Sequence, residues 1–171
     1  MKRLLSILFA LAFGILTFTT LLSTTAQAQH LSGSVPFYRY YNANTNVRDH
    51  FYTTDWSELG YGNYGWYFEN VECYVFDTQA SGTVPLYRYW NPTLGDHFYT
   101  IDFSVLGYGA DGYSLESQVY YVYDTEVEGS VPLYRYYHYS HADHFYTIDF
   151  STLGYGANGY TFEGVECYVS P

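Results

Sequence analysis

Three sets of polar side chains recur along this chain: Arg39 with Asp49-His50, Arg88 with Asp96-His97, and Arg135 with Asp143-His144. A carboxylate can fix an imidazole tautomer and accept from a guanidinium. Placed on neighbouring strands of one hairpin, each set could hold sugar hydroxyls, with Asp accepting and Arg and His donating. The same groups could instead form a buried network that satisfies tyrosine hydroxyls and pins the hairpin. The dense aromatic flanks favour the network for the Asp-His pairs. Tyr61, Tyr108 and Tyr155 each stand between glycines, where a ring is hard to bury. They are the preferred stacking platforms for a sugar face, and the competing role is to cap the ends of the body. Trp56, Trp66 and Trp90 fall only in the first two sets.

Other chemistry finds less support. The chain has no Gly-x-Ser-x-Gly elbow, no His-Glu-x-x-His and no Walker sequence. Carboxylates are numerous enough for a glycosidase pair. Yet the polar groups come in three equal sets, which suits multivalent binding, whereas catalysis needs one asymmetric site. The chain is therefore expected not to be an enzyme. His138, His141 and His144 form His-x-x-His-x-x-His across a predicted hairpin loop. The first two have no counterpart in the other sets, so a polar loop is expected, with no metal and no cofactor. Cys73 and Cys167 hold equivalent positions, with Tyr120 in the third place. Two buried thiols are expected over a disulfide, because positions related by a three-fold axis are usually too far apart to bridge.

The elements that must position these groups are three copies of one unit. Val-Pro-x-Tyr-Arg-Tyr occurs at Val35, Val84 and Val131. Asp-His-Phe-Tyr-Thr follows at Asp49, Asp96 and Asp143. Asp-aromatic-Ser-x-Leu-Gly-Tyr-Gly follows at Asp55, Asp102 and Asp149. Each copy then places a glutamate (Glu69, Glu116, Glu163) at the same distance from its Asp-His pair. The first copy carries a short insertion around Asn44–Val47, expected in a hairpin loop. Each unit reads as four strands, with a one-turn helix capped by the Asp of the third motif. Asp55 and Glu58 offer a capping box, and Gly107 suits the left-handed position that ends such a turn. The prediction is all-β: a pseudo-three-fold β-trefoil of three four-stranded repeats, or propeller-like blades as the alternative.

The chain has 171 residues and a formal net charge of −11. Met1-Lys2-Arg3, the apolar run Leu4 to Leu22 and Ala26-Gln27-Ala28 read as a signal peptide over residues 1–28. Residues 29–171 then form a single domain of three repeats, at about 33–80, 82–127 and 129–171. Beyond residue 28 the only Arg or Lys residues are Arg39, Arg48, Arg88 and Arg135, against 17 carboxylates. That balance argues against nucleic acid and, once the signal is removed, against a membrane surface. Aromatic residues are 23% of the chain, a composition opposed to disorder.

These motifs, from Val35 to Val169, resemble an aromatic-rich triplicated repeat family of unknown function found in secreted bacterial and fungal proteins. Its members are sometimes attached to secreted hydrolases. The resemblance implies a secreted accessory module, extracellular or periplasmic, and carries over no catalytic residue. The expected function is non-catalytic recognition of carbohydrate or a cell-surface glycan in a lectin-like manner. A structural or protein-binding module, adhesive or inhibitory, is the alternative, and an accessory domain to a glycoside hydrolase is the second. The sequence sets no oligomeric state.

Overall fold

A computed structural model describes residues 30–44 and 47–171, without the side chains of residues 117 and 118. The signal peptide expected over residues 1–28 and its cleavage site lie outside the described residues.

Nine strands form three antiparallel sheets. The first contains β1 (Val35–Asn44), β2 (Val47–Thr53) and β3 (Trp66–Val75). The second contains β4 (Val84–Asn91), β5 (Asp96–Thr100) and β6 (Ser114–Val122). The third contains β7 (Val131–His138), β8 (Asp143–Thr147) and β9 (Tyr160–Val169). The strand order is the same in each, β2-β1-β3 in the first, so the Val-Pro-x-Tyr-Arg-Tyr strand is always central. The all-β expectation holds. Among the described residues the sheets do not close into one barrel, and each has three strands rather than four.

The strand count fell because the expected third and fourth strands are one strand carrying bulges. Along β1 and β3, Phe37 faces Cys73, Tyr38 faces Val71, Arg39 faces Asn70 and Tyr40 faces Phe68. Glu72 and Glu69 are the residues skipped. In β9 the skipped residues are Glu166 and Glu163. A bulge turns its extra side chain out of the regular alternation, and here it turns both glutamates toward the arginine of the central strand.

The sheets meet around a common axis. Layers of one residue per repeat build the main core: Phe37, Leu86 and Leu133; Tyr52, Tyr99 and Tyr146; Cys73, Tyr120 and Cys167; Val75, Val122 and Val169. The tyrosine layer is cyclic. Each hydroxyl donates to the backbone carbonyl of a tyrosine in another repeat at 2.7 Å and accepts from the same residue's amide at 2.8 Å. The rings meet edge-on, with centroids 5.5–5.6 Å apart. At the strand ends, isolated bridges Tyr74–Ser170, Phe76–Tyr121 and Tyr123–Tyr168 tie each sheet to both others. Cys73 and Cys167 are buried and unbonded, and burial pushes both thiols well above their ordinary pKa.

The segment after Asp-aromatic-Ser is a hydrogen-bonded turn in the first two repeats and one turn of 3-10 helix, Phe150–Thr152, in the third. Asp55, Asp102 and Asp149 cap it alike, accepting from the amide and hydroxyl of Ser57, Ser104 and Ser151. The capping box does not form: Glu58 accepts from the Thr53 hydroxyl, while the Asp55 amide donates to that same hydroxyl. Gly60, Gly107 and Gly154 close the turns at φ +57°, and buried Tyr40, Tyr89 and Tyr136 donate to their carbonyls.

Candidate functional site

Successive side chains of a strand point to opposite faces. Asp49 and His50 are neighbours on β2, so they cannot face each other. The structure pairs each aspartate with the histidine of another repeat instead: Asp49 with His97, Asp96 with His144, Asp143 with His50. In every pair one carboxylate oxygen accepts from the histidine amide at 2.9 Å. The other oxygen meets Nδ1 at 2.5–2.8 Å. The expected grouping of Arg, Asp and His within one hairpin is therefore corrected. The arginines turn to glutamates: Arg39 to Glu69 and Glu72, Arg135 to Glu163 and Glu166, Arg88 to Glu116.

The three aspartates converge on the axis, all buried, with one oxygen from each within 4.8 Å of the others. Such an oxygen set suits a hard cation, but every carboxylate is already held by an amide and an imidazole. Asp96 and Asp143 accept a further hydrogen bond from Tyr113 and Tyr160. Trp66 occupies the equivalent place beside Asp49 and has no hydroxyl to give. The carboxyl groups respond accordingly. Burial, then the nearby Asp96, pushes Asp49 well above the ordinary carboxylate range. Burial also raises Asp143, but hydrogen bonds from His50 and Tyr160 outweigh it and leave that group below its ordinary value. Three carboxylates this close cannot all ionise cheaply, and at Asp49 burial and the neighbouring carboxylates act in the same direction. Burial lowers its partner His97 to about 4.

Clefts open at the first and second seams between repeats. At the first seam, a cleft of about 210 Å³ is lined by Phe51, Glu58, Leu59 and Trp66 of repeat one and His97 of repeat two. At the second, a cleft of about 270 Å³ is lined by Phe98, Val105, Leu106, Asp111 and Tyr113, with Arg135, His144 and Glu163 across it. At all three seams an arginine of one repeat lies over a phenylalanine of another: Arg88 over Phe51, Arg135 over Phe98 and Arg39 over Phe145, at 4.8–5.2 Å. The histidine Nε2 stands 3.8–3.9 Å from Glu69, Glu116 or Glu163.

Tyr61, Tyr108 and Tyr155 are 83–87% exposed. Trp56, Phe103 and Phe150 meet them edge-on at 5.1–5.3 Å, so the exposed rings are propped rather than free. Leu106, two residues before Tyr108, lines the second cleft. Gly62, Gly109 and Gly156 beside these tyrosines have φ of +126°, +152° and +138°. A Cβ there would come within 2.5–2.8 Å of the carbonyl oxygen of Trp66, Tyr113 or Tyr160.

The three histidines of the third repeat do not converge. His138 and His141 stack at 3.8 Å, the Arg48 guanidinium meets His141 at 2.5 Å, and His144 belongs to Asp96. Among the cleft residues that the sequence did not mark as a site are Phe51, Glu58 and Trp66 at the first seam and Glu163 at the second. The constant spacing from each Asp-His pair to its glutamate was the available signal.

The family model described as "Domain of unknown function (DUF5648)" matches residues 20–76 and 59–170. The chain belongs to this family. No curated protein and no solved structure matches the chain. DUF5648 brings no assigned residue roles to the seams, so their function rests on their own geometry. Among the described residues, no helix is long and apolar enough to cross a membrane.

Proposed function

We propose that this protein is a secreted, non-catalytic carbohydrate-binding module that holds oligosaccharide at its three seams, with the propped tyrosines extending each site. The observation that carries the reading is the combination at a seam of an aromatic wall, a phenylalanine floor and a partly exposed glutamate beside an imidazole. A pyranose has an apolar face that stacks on an aromatic ring and hydroxyls that donate to carboxylates. The ion pairs of Arg39, Arg88 and Arg135 with glutamates leave no free guanidinium at the seams for a phosphate or sulfate. Three related sites on one body favour avidity on a polymeric surface over tight binding of a monosaccharide.

At the level of fold, we read the sheets as propeller-like blades rather than a trefoil. Support comes from β2, β5 and β8 packing against one another around the axis while β1, β4 and β7 lie outside them.

A glycan array followed by titration calorimetry tests the function. Wild type should bind an oligosaccharide at more than one site per chain, and Tyr108→Ala should lose one site while remaining folded. Unchanged stoichiometry in that variant removes the turn tyrosine from the site. Absence of any glycan ligand for the folded wild type overturns the reading.

A further inference from the structure

Four of the differences between the first seam and the other two act together. Trp66 stands where the others have Tyr113 and Tyr160. Glu58 stands where they have Val105 and Thr152. Val119 replaces Glu72 and Glu166, and Tyr120 replaces Cys73 and Cys167.

At the second and third seams the inner glutamate is buried and spent. Glu72 pairs with Arg39 and accepts from the Ile148 amide at 2.9 Å; Glu166 pairs with Arg135 and accepts from the Ile101 amide at 2.8 Å. At the first seam that inner carboxylate is missing, and one arrives from the opposite wall. Glu58 lies 3.6 Å from Arg88 and keeps 26% of its side chain exposed. Its described hydrogen bond is a single one, from the Thr53 hydroxyl at 3.1 Å.

Arg88 is buried, its guanidinium lies over Phe51, and it donates to the Tyr120 hydroxyl at 3.0 Å. Its Nε is 2.7 Å from Glu116, yet the N–H is out of line with the oxygen, and both atoms lack a hydrogen-bond partner. The aligned bond forms at the other seams, from Arg39 to Glu69 and from Arg135 to Glu163. The first seam thus holds a buried arginine with an unused donor, a glutamate with an unused acceptor, and a second carboxylate facing the cleft. One arginine balances one of the two carboxylates, which leaves a negative charge beside the Trp66 indole.

Resting on the carbohydrate reading, we infer that the Trp66 cleft is the selective site and that its ligand is an amino-sugar oligomer with free amines. An ammonium group fits a carboxylate next to an indole better than a neutral hydroxyl does, because it gains both the ion pair and the ring quadrupole. The other seams also set two glutamates against one arginine, but there the second is buried against a backbone amide, and the valine or threonine in the place of Glu58 puts no carboxylate on the opposite wall. The net charge of −11 draws a polycation toward the whole surface.

The repeats supply the test substitutions, since Val and Tyr are the residues found at these places elsewhere in the same protein. Calorimetry would compare oligomers of glucosamine, N-acetylglucosamine and glucose on wild type, Glu58→Val, Glu58→Gln and Trp66→Tyr, at about 0.02 and about 0.5 M salt. The glucosamine oligomer should bind wild type most tightly and weaken with salt. Both Glu58 variants should lose about tenfold in affinity at the tightest site, and Trp66→Tyr should weaken binding as well. Equal, salt-independent binding of the acetylated or neutral oligomers, or no loss in Glu58→Gln, overturns the inference and leaves the carbohydrate reading standing. Failure of all three oligomers to bind folded wild type overturns the inference, and overturns the carbohydrate reading as well when the glycan array also finds no ligand.

Discussion

The hydroxyl of Tyr99 grips the backbone of Tyr52 at two points, donating to its carbonyl at 2.7 Å and accepting from its amide at 2.8 Å. Neither backbone group can reach water. Tyr99→Phe would leave the amide unpaired and the carbonyl with only a long 3.4 Å bond from the Tyr120 hydroxyl, at a cost of about 1–3 kcal/mol for the orphaned amide. Urea unfolding should show the loss as a lower midpoint with an unchanged slope. A midpoint equal to that of wild type would mean the ring of tyrosines contributes packing alone.

Across the first seam burial raises the Asp49 carboxyl and lowers the His97 imidazole. The raised carboxyl costs stability as pH rises from its ordinary 3.8, and the lowered imidazole returns stability as pH rises towards its ordinary 6.5, so the two offset each other in that window. Above 6.5 the imidazole is neutral in both states, only the raised carboxyl still acts, and stability falls as pH rises. Asp143, depressed when folded, contributes stability that is present above 3.8 and lost as pH falls through its folded value. The Tm should therefore be highest between about 4 and about 6.5. Calorimetric scans of Asp49→Asn should keep the acid limb and lose the alkaline one. A wild-type Tm that stays level above about pH 7 would contradict a carboxyl raised that far.

Trp66→Tyr bears on the same pair. A tyrosine there can donate to Asp49 as Tyr113 and Tyr160 donate to Asp96 and Asp143. The new bond to a carboxylate is worth about 1.5–3 kcal/mol, less the area lost with the indole. The variant should unfold at or above the wild-type temperature and show a shallower alkaline limb. A large drop in Tm would show that the indole packing outweighs the missing hydroxyl.

Gly109→Ala should be costly although the residue is on the surface. Its φ is +152°, and the added Cβ would meet the Tyr113 carbonyl oxygen at 2.8 Å. The expected loss is about 1–3 kcal/mol, measured by denaturant unfolding. A neutral outcome would mean that the turn carrying Tyr108 rearranges freely.

Much of this architecture was legible in the residues. Three copies of the Val-Pro-x-Tyr-Arg-Tyr and Asp-His-Phe-Tyr-Thr motifs announced three equivalent units, and the glycines around Tyr61, Tyr108 and Tyr155 announced exposed rings. The strand count was misjudged because Glu69 and Glu72 look like a break between strands. They are bulges, and a bulge leaves no mark in hydrophobic alternation except a polar residue out of phase. The exchange of Asp49 and His97 between repeats was half visible, since adjacent residues on a strand face opposite ways. Which repeat would supply the partner depends on how the sheets pack, and that is a property of the assembled body. Glu58 went unrecognised as a cleft residue because its capping-box spacing offered a simpler role.

The contacts that finish each repeat are all owed by another. Tyr52 is held by Tyr99 and Tyr146, and Asp49 meets its imidazole in the second unit. The described chain also ends where it starts, with the His30 ring 2.5 Å from the Pro171 carbonyl oxygen. Connectivity is thus nearly circular, and the order of the units along the chain matters less than their number. A chain permuted to begin at Thr83, with Pro171 joined to His30 through a short linker, would keep every seam. A single excised unit would keep none of them, and could complete itself only by meeting two further copies as a trimer.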